Sequence, residues 1–216
     1  MTVMPSVVVL ISGRGSNMVA LLDAHLPLRI LAVISNRSDA QGLEQARSRG
    51  IPAEVVDHRL YATREDFDGA LQGCISRFQP DMVVLAGFMR ILTPGFVRHY
   101  EGRLLNIHPS LLPAFPGLDT HRRALAEGVR VHGCTVHFVT PELDHGPIVA
   151  QAVVPVFPED TEALLAHRVL SLEHVLYPQV LRWWAAGRLR LTPEGRVEVA
   201  GRPAWGPSGC YPGPEQ

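Results

Sequence analysis

Val7-Val8-Val9-Leu10-Ile11-Ser12-Gly13-Arg14-Gly15-Ser16-Asn17 is the first organised stretch of the chain. Five apolar residues without polar alternation read as a strand buried on both faces, as in a parallel sheet. Gly13 and Gly15 break the strand, and Met18, Leu21, Leu22 and His25 then fall on one side of a helix. Strand, glycine turn and helix together suit an anion. Glycines let the backbone approach closely, and free N–H groups at the helix start point at a phosphate. A mere tight turn would carry the same glycines. The dinucleotide fingerprint is not met: its third glycine would fall at Met18, and the second strand ends in Ser35-Asn36 rather than in the acidic residue that grips a ribose.

Outward from this stretch, apolar runs at residues 29–34, 53–56 and 81–86 read as further strands. Residues 43–49, closed by Gly50, and residues 64–78 read as helices between them. Alternating strand and helix predicts βαβ units, hence a parallel sheet with right-handed crossovers. The second half has a different grammar. Residues 104–107 form a short strand, 131–139 and 148–156 two longer strands flanking a turn, and 161–186 one long helix. The predicted fold class is α/β: a Rossmann-like three-layer domain with a mostly parallel central sheet and an antiparallel extension in its second half. Residues 1–191 are expected to form this single domain, with a phosphate-binding half at 1–100 and a folate-binding and catalytic half at 101–191. Glycine and proline dominate residues 192–216, which read as a loosely ordered tail.

Composition removes several function classes. The chain has 216 residues, 46% of them hydrophobic and 19% charged, which suffices for a sizeable core. Twenty basic and 21 acidic residues give a net charge of −1, without the basic footprint that nucleic acid requires. No lysine occurs anywhere, so a P-loop and a Schiff-base mechanism are both excluded. Cys74, Cys134 and Cys210 lie far apart and are odd in number, which indicates neither a disulfide framework nor a cysteine zinc site and fits a reducing cytoplasm. No basic leader and no long apolar run is present, so neither a signal peptide nor a membrane span is expected.

Two polar segments stand out. In Leu104-Leu105-Asn106-Ile107-His108-Pro109-Ser110, Asn106 and His108 lie two apart at a strand end and share a face. An amide donor beside an imidazole suits oxyanion stabilisation and proton movement, although a buried polar pair of structural role would show the same spacing. Asp144 lies in the turn Thr140-Pro141-Glu142-Leu143-Asp144-His145-Gly146-Pro147. An aspartate beside a histidine fixes its tautomer and favours its protonated form; standing alone, this one reads as an ordinary turn carboxylate. His121, His132, His137 and His145 crowd the same region without diagnostic ligand spacing, so no metal is expected.

Taken together, these segments resemble the phosphoribosylglycinamide formyltransferases of the folate-dependent formyltransferase family. The matching stretches are Ile11 to Asn17, Ile34-Ser35-Asn36-Arg37, Val84-Leu85-Ala86-Gly87-Phe88-Met89-Arg90-Ile91-Leu92, Asn106 to Pro113 with Pro116-Gly117, and Glu142-Leu143-Asp144 with Gly146-Pro147. They span about residues 6–190 in family order. The resemblance implies 10-formyltetrahydrofolate as co-substrate and small-molecule substrates only, with no nucleic acid, membrane or metal, in a cytoplasmic monomer or homodimer. It implies Asn106, His108 and Asp144 as the catalytic trio. Gly15, Ser16, Asn17 and Glu173 would bind glycinamide ribonucleotide. Arg64, Met89, Arg90, Ile91, Leu92 and Asn106 would line the folate pocket. Ala114, Asp119, Pro141 and His145 depart from the usual family pattern. Formyltetrahydrofolate hydrolases share the Asn-x-His and Asp machinery, but a hydrolase does not need the phosphate turn. Methionyl-tRNA formyltransferases need a basic RNA-binding domain that the proline-rich tail does not supply. A non-catalytic nucleotide-binding module would leave the trio without a joint purpose.

Overall fold

The computed structural model describes residues 4–201 and 210–211. The unbroken apolar run of the first strand, β1 (Ser6–Ile11), is buried at every position. A strand buried on both faces must be covered on both, and the chain does this with helices. The first unit comprises Met1–Asn106 with Val139–Pro141. It contains α1 (Ser16–Asp23), β2 (Arg29–Ser35), α2 (Gln41–Ser48), β3 (Ala53–Val55), α3 (Arg64–Ser76), β4 (Met82–Leu85) and α4 (Pro94–His99). The next strand, β5 (Leu104–His108), begins within it.

All strand pairs in this unit are parallel, in the order β5-β4-β1-β2-β3. Val8 and Leu10 pack with Ala32, Ile34, Val83 and Leu85 against Phe67, Leu71 and Ile75 of α3 and Phe96 and Val97 of α4. On the other face, the Ile11 side chain approaches Gly42 of α2. The chain winds from β1 to β2 and β3 in one direction, then returns to lay β4 on the opposite flank of β1. That reversal leaves a crevice outside the carboxyl ends of β1 and β4, where open α/β sheets bind ligands.

The second unit comprises Ile107–Phe138 and Glu142–Gln216. It holds the end of β5, α5 (Thr120–Ala126), β6 (Val131–Phe138), β7 (Ile148–Pro155), the long α6 (Glu162–Ala185), β8 (Leu189–Leu191), β9 (Val197–Val199) and β10 (Cys210–Tyr211). Its strands pair antiparallel: β6 with β7, β7 with β10, and β8 with β9. α6 buries Leu165, Val169, Leu176, Tyr177 and Leu181. Thr161 caps its first turn, and Asp160 receives two Arg168 hydrogen bonds of 2.7 Å. No helix among the described residues is long and apolar enough to cross a membrane.

The fold class read from sequence is the one observed. Three details differ. α4 and α5 were not predicted, because six and seven residues are too few to establish a helical period. Residues 192–201, read as tail, contain β9, whose alternation of Val197, Glu198 and Val199 pairs with Leu191, Arg190 and Leu189. The expected division at residue 100 falls instead after Asn106, and the chain returns to the first unit at Val139–Pro141. The remainder of the predicted tail, residues 202–209 and 212–216, lies outside the described residues.

Candidate active site

In the first unit, the glycine turn follows β1 directly. Gly15 caps α1 at φ 74, and a Cβ there would stand 3.0 Å from Gly42 Cα. Left-handed backbone and crowding both require glycine. The turn is tied down by Gly42 N–H donating to Gly13 O at 3.0 Å and Val19 N–H to Gly15 O at 2.8 Å. Ser16 and Asn17 start the helix, in the first turn whose amides lie beyond the intrahelical hydrogen-bond ladder. Residues 87–92 follow β4 across the same crevice. Phe88 and Leu92 are buried in the core, while Met89 and Ile91 stay 63% and 55% exposed. Two large apolar side chains held open to solvent on a loop suit a flat aromatic ligand. Arg90 lies between them, half-buried, and Arg64 opens α3, exposed. Asn106 lies in register with Leu85 of β4, the last residue of the unit's fifth parallel strand.

The second unit assembles a different kind of site. His108 ends β5 and is 6% exposed. Its Nε2 lies 2.9 Å from Phe115 O, a carbonyl that can only accept, so this nitrogen carries the proton. Its Nδ1 lies 3.4 Å from Asp144 Oδ2. The same carboxylate oxygen accepts from Gly117 N–H at 2.8 Å, while Oδ1 lies 3.8 Å from His137 Nε2. Asp144 is thus the hub of the cluster. Burial lowers the His137 pKa, opposed by a bond to Phe138 O and by the Asp144 charge. Glu173 sits on the buried face of α6 in this unit, 6% exposed.

The segment between His108 and α5 is held in an unusual shape. Phe115 and Asp119 adopt φ 54 and 55, and Asp144 adopts φ 52. For a bulky residue such as Phe115 this is a strained conformation of the kind that clusters at functional sites. Two cross-strand partners hold it in place, Thr135 of β6 and Gln151 of β7. Thr135 Oγ1 donates to Ser110 O at 2.7 Å and accepts from Leu112 N–H at 3.0 Å; Gln151 Nε2 donates to Leu112 O at 2.9 Å. Ser110 Oγ donates to Ala114 O at 2.6 Å, and Thr120 Oγ1 to Pro109 O at 2.7 Å. Beyond Phe115, His132 and His121 stack edge to face, with ring centroids 5.3 Å apart. Burial, and then the neighbouring His121, push the His132 pKa down to about 4.

Sequence reading singled out His108 and Asp144, which the structure brings together. It did not find the partners of that pair in Phe115 O and Gly117 N–H, nor the supporting roles of Thr135 and Gln151. The alternation Cys134-Thr135-Val136-His137 carried a signal, since Thr135 and His137 share one face of β6. Among the described residues, no group of three or more His, Cys, Asp or Glu side chains is placed to hold a metal ion.

Known proteins share both sequence and shape with this chain. A family model described as formyl transferase matches residues 6–181. The phosphoribosylglycinamide formyltransferase of Escherichia coli (strain K12) is 53% identical over 190 residues, covering 86% of this chain and 90% of that protein. The trifunctional purine biosynthetic protein adenosine-3 of Bos taurus is 47% identical over 195 residues, which cover 88% of this chain and 19% of the longer protein. The solved phosphoribosylglycinamide formyltransferase from Coxiella burnetii, in complex with CHES, has a TM-score of 0.87 at 48% identity and covers 91% of this chain and 94% of its own. With a family model matched over more than half its length and a relative of near-equal extent, the chain belongs to the formyltransferase family.

Proposed function

We propose that this protein transfers the formyl group of 10-formyltetrahydrofolate to the amine of glycinamide ribonucleotide, a step of purine biosynthesis. The observation that carries this reading is the 53% identity extending over 90% of the E. coli enzyme. The buried His108–Asp144 pair and the intact phosphate turn support it.

The roles follow from each residue's chemistry. Gly15, Ser16 and Asn17 hold the substrate phosphate through backbone N–H groups together with the Ser16 hydroxyl and the Asn17 amide, and Glu173 contacts the ribonucleotide. Met89 and Ile91 offer apolar surface to the folate ring system, with Leu92 supporting them from the core and Arg64 and Arg90 available to its carboxylates. The substrate amine attacks the formyl carbon, a new C–N bond forms, and the carbonyl oxygen becomes an oxyanion. The Asn106 side-chain amide donates a hydrogen bond to that oxygen, and His108 turns its Nε2–H from Phe115 O to it while Nδ1 stays on Asp144. As the bond to the folate nitrogen breaks, His108 or a water passes the proton from the attacking amine to the leaving nitrogen. Asp144 orients the imidazole throughout. The proposed working state is a cytoplasmic monomer or homodimer, with which Cys74 and Cys134, both buried and neither in a disulfide, are compatible.

A formyl-transfer assay on the purified protein tests the reading. Formylated ribonucleotide should accumulate only when both substrates are present. Release of formate at the same rate with water as sole acceptor would replace the transferase by a hydrolase.

A further inference from the structure

The loop that follows β4 has little to hold it. Residues 87–93 make no helix or strand ladder, yet they keep Met89 and Ile91 turned to solvent. Phe88 and Leu92 anchor it in the core, and its far end is fixed by Thr93 N–H donating to the buried Asp68 carboxylate at 2.6 Å. At the near end both polar anchors come from one residue. Ser12 N–H donates to Gly87 O at 3.1 Å, and Met89 N–H donates to Ser12 Oγ at 2.7 Å. The hydroxyl proton goes to Asn36 Oδ1 at 2.5 Å. Ser12 and Asn36 are 7% and 2% exposed. Asn36 is in turn fixed from the first unit's own third connection, with His58 Nδ1 2.8 Å from its carbonyl oxygen.

We propose that Ser12, backed by Asn36, is a positioning residue for the folate-binding segment, an inference that rests on the folate reading of residues 89–92. The hydroxyl acts as a relay. It accepts from the Met89 amide while its own proton is committed to Asn36, so the amide meets a lone pair fixed in direction. A side chain without an oxygen would leave that amide without its partner at the point where the loop presents Met89. The glycine turn next to Ser12 does not depend on this hydroxyl, because Gly42 and Val19 tie it down separately. Loss of the relay therefore acts on one substrate and spares the other.

The test compares wild type with Ser12→Ala, Ser12→Thr and Asn36→Ala by steady-state kinetics, with amide hydrogen exchange read at the peptide containing residue 89. Ser12→Ala is expected to raise KM for 10-formyltetrahydrofolate about tenfold, the effect of one lost hydrogen bond of typical net strength. KM for the ribonucleotide should stay within about twofold, and exchange at residue 89 should quicken. Ser12→Thr, which keeps the hydroxyl, should return folate KM toward wild type. Asn36→Ala should move folate KM in the same direction, and it carries the comparison if Ser12→Ala does not fold. An unchanged folate KM, or equal increases for both substrates, overturns the positioning role while leaving the activity standing. Absence of formyl transfer in the wild type overturns the underlying reading instead.

Discussion

Asp144 adopts a left-handed backbone at φ 52 and spends both carboxylate oxygens inside the cluster, one on Gly117 N–H and His108, the other toward His137. An aspartate tolerates that conformation better than bulkier residues do. At this scale we expect His108→Ala to lower kcat by on the order of 10²–10³. Asp144→Ala should also lose most turnover, by freeing the imidazole. Ribonucleotide affinity should change little in either variant, as read by calorimetry, and full turnover in either would refute their roles. Ser16→Ala and Asn17→Ala should show the reverse pattern, with weaker ribonucleotide binding; unchanged affinity would move the phosphate site elsewhere. Asn106 and His108 stood out in the sequence as a polar pair in an apolar strand, whereas Asp144, in a polar turn, was singled out only through the family resemblance. Phe115 O and Gly117 N–H were not legible, because any residue supplies a carbonyl or an amide. Only the left-handed turns between Pro113 and Thr120 aim those two groups at His108 and Asp144.

The β6–β7 pair makes its strongest demand at Gly133. A Cβ there would lie 1.9 Å from Ala152 O and 2.9 Å from Leu111 Cδ2. Backbone cannot yield as a flexible side chain can, so Gly133→Ala should part the strands that present Thr135 and Gln151 to the loop. The expected cost is about 1–3 kcal/mol or more, read as a drop in denaturation midpoint with a parallel loss of activity; wild-type stability would show that the two strands separate freely here. A local irregularity further along, between Val136 and His137, shifts the register so that Ile148 faces His137, and such irregularities commonly re-aim side chains beside active sites. The parallel half was readable because β1 and β4 are apolar without alternation. α4 left a readable mark in Thr93-Pro94, a capping residue before a proline at the first helical position. α5 left none, since Asp119 at its start makes no side-chain cap bond. The β8–β9 hairpin was masked by the glycine and proline around it.

For the whole molecule, acid is the expected weak side. The folded His132 titrates at about 4, below the ordinary histidine value of 6.5, and burial lowers His121, His137 and His174 in the same direction. A group with a depressed folded pKa binds protons more readily once unfolded. Its contribution is therefore complete above about pH 6.5 and is lost as pH falls toward about 4. Thermal midpoints should fall across that window, and His132→Phe should fall less; identical acid losses in both proteins would acquit His132. His121 and Glu162 are the neighbours to watch, since the Glu162 charge opposes the burial of His121. The threading of the chain has a consequence of its own. The first unit takes back Val139–Pro141 after the second has begun, and Val139 N–H donates to Leu104 O at 2.9 Å. A gene severed after codon 106 would thus yield an amino-terminal fragment missing a piece encoded downstream, and a carboxyl-terminal fragment carrying a stretch foreign to it. Cut at that point, neither fragment corresponds to a single unit of the fold, and the two are expected to need co-expression to regain it.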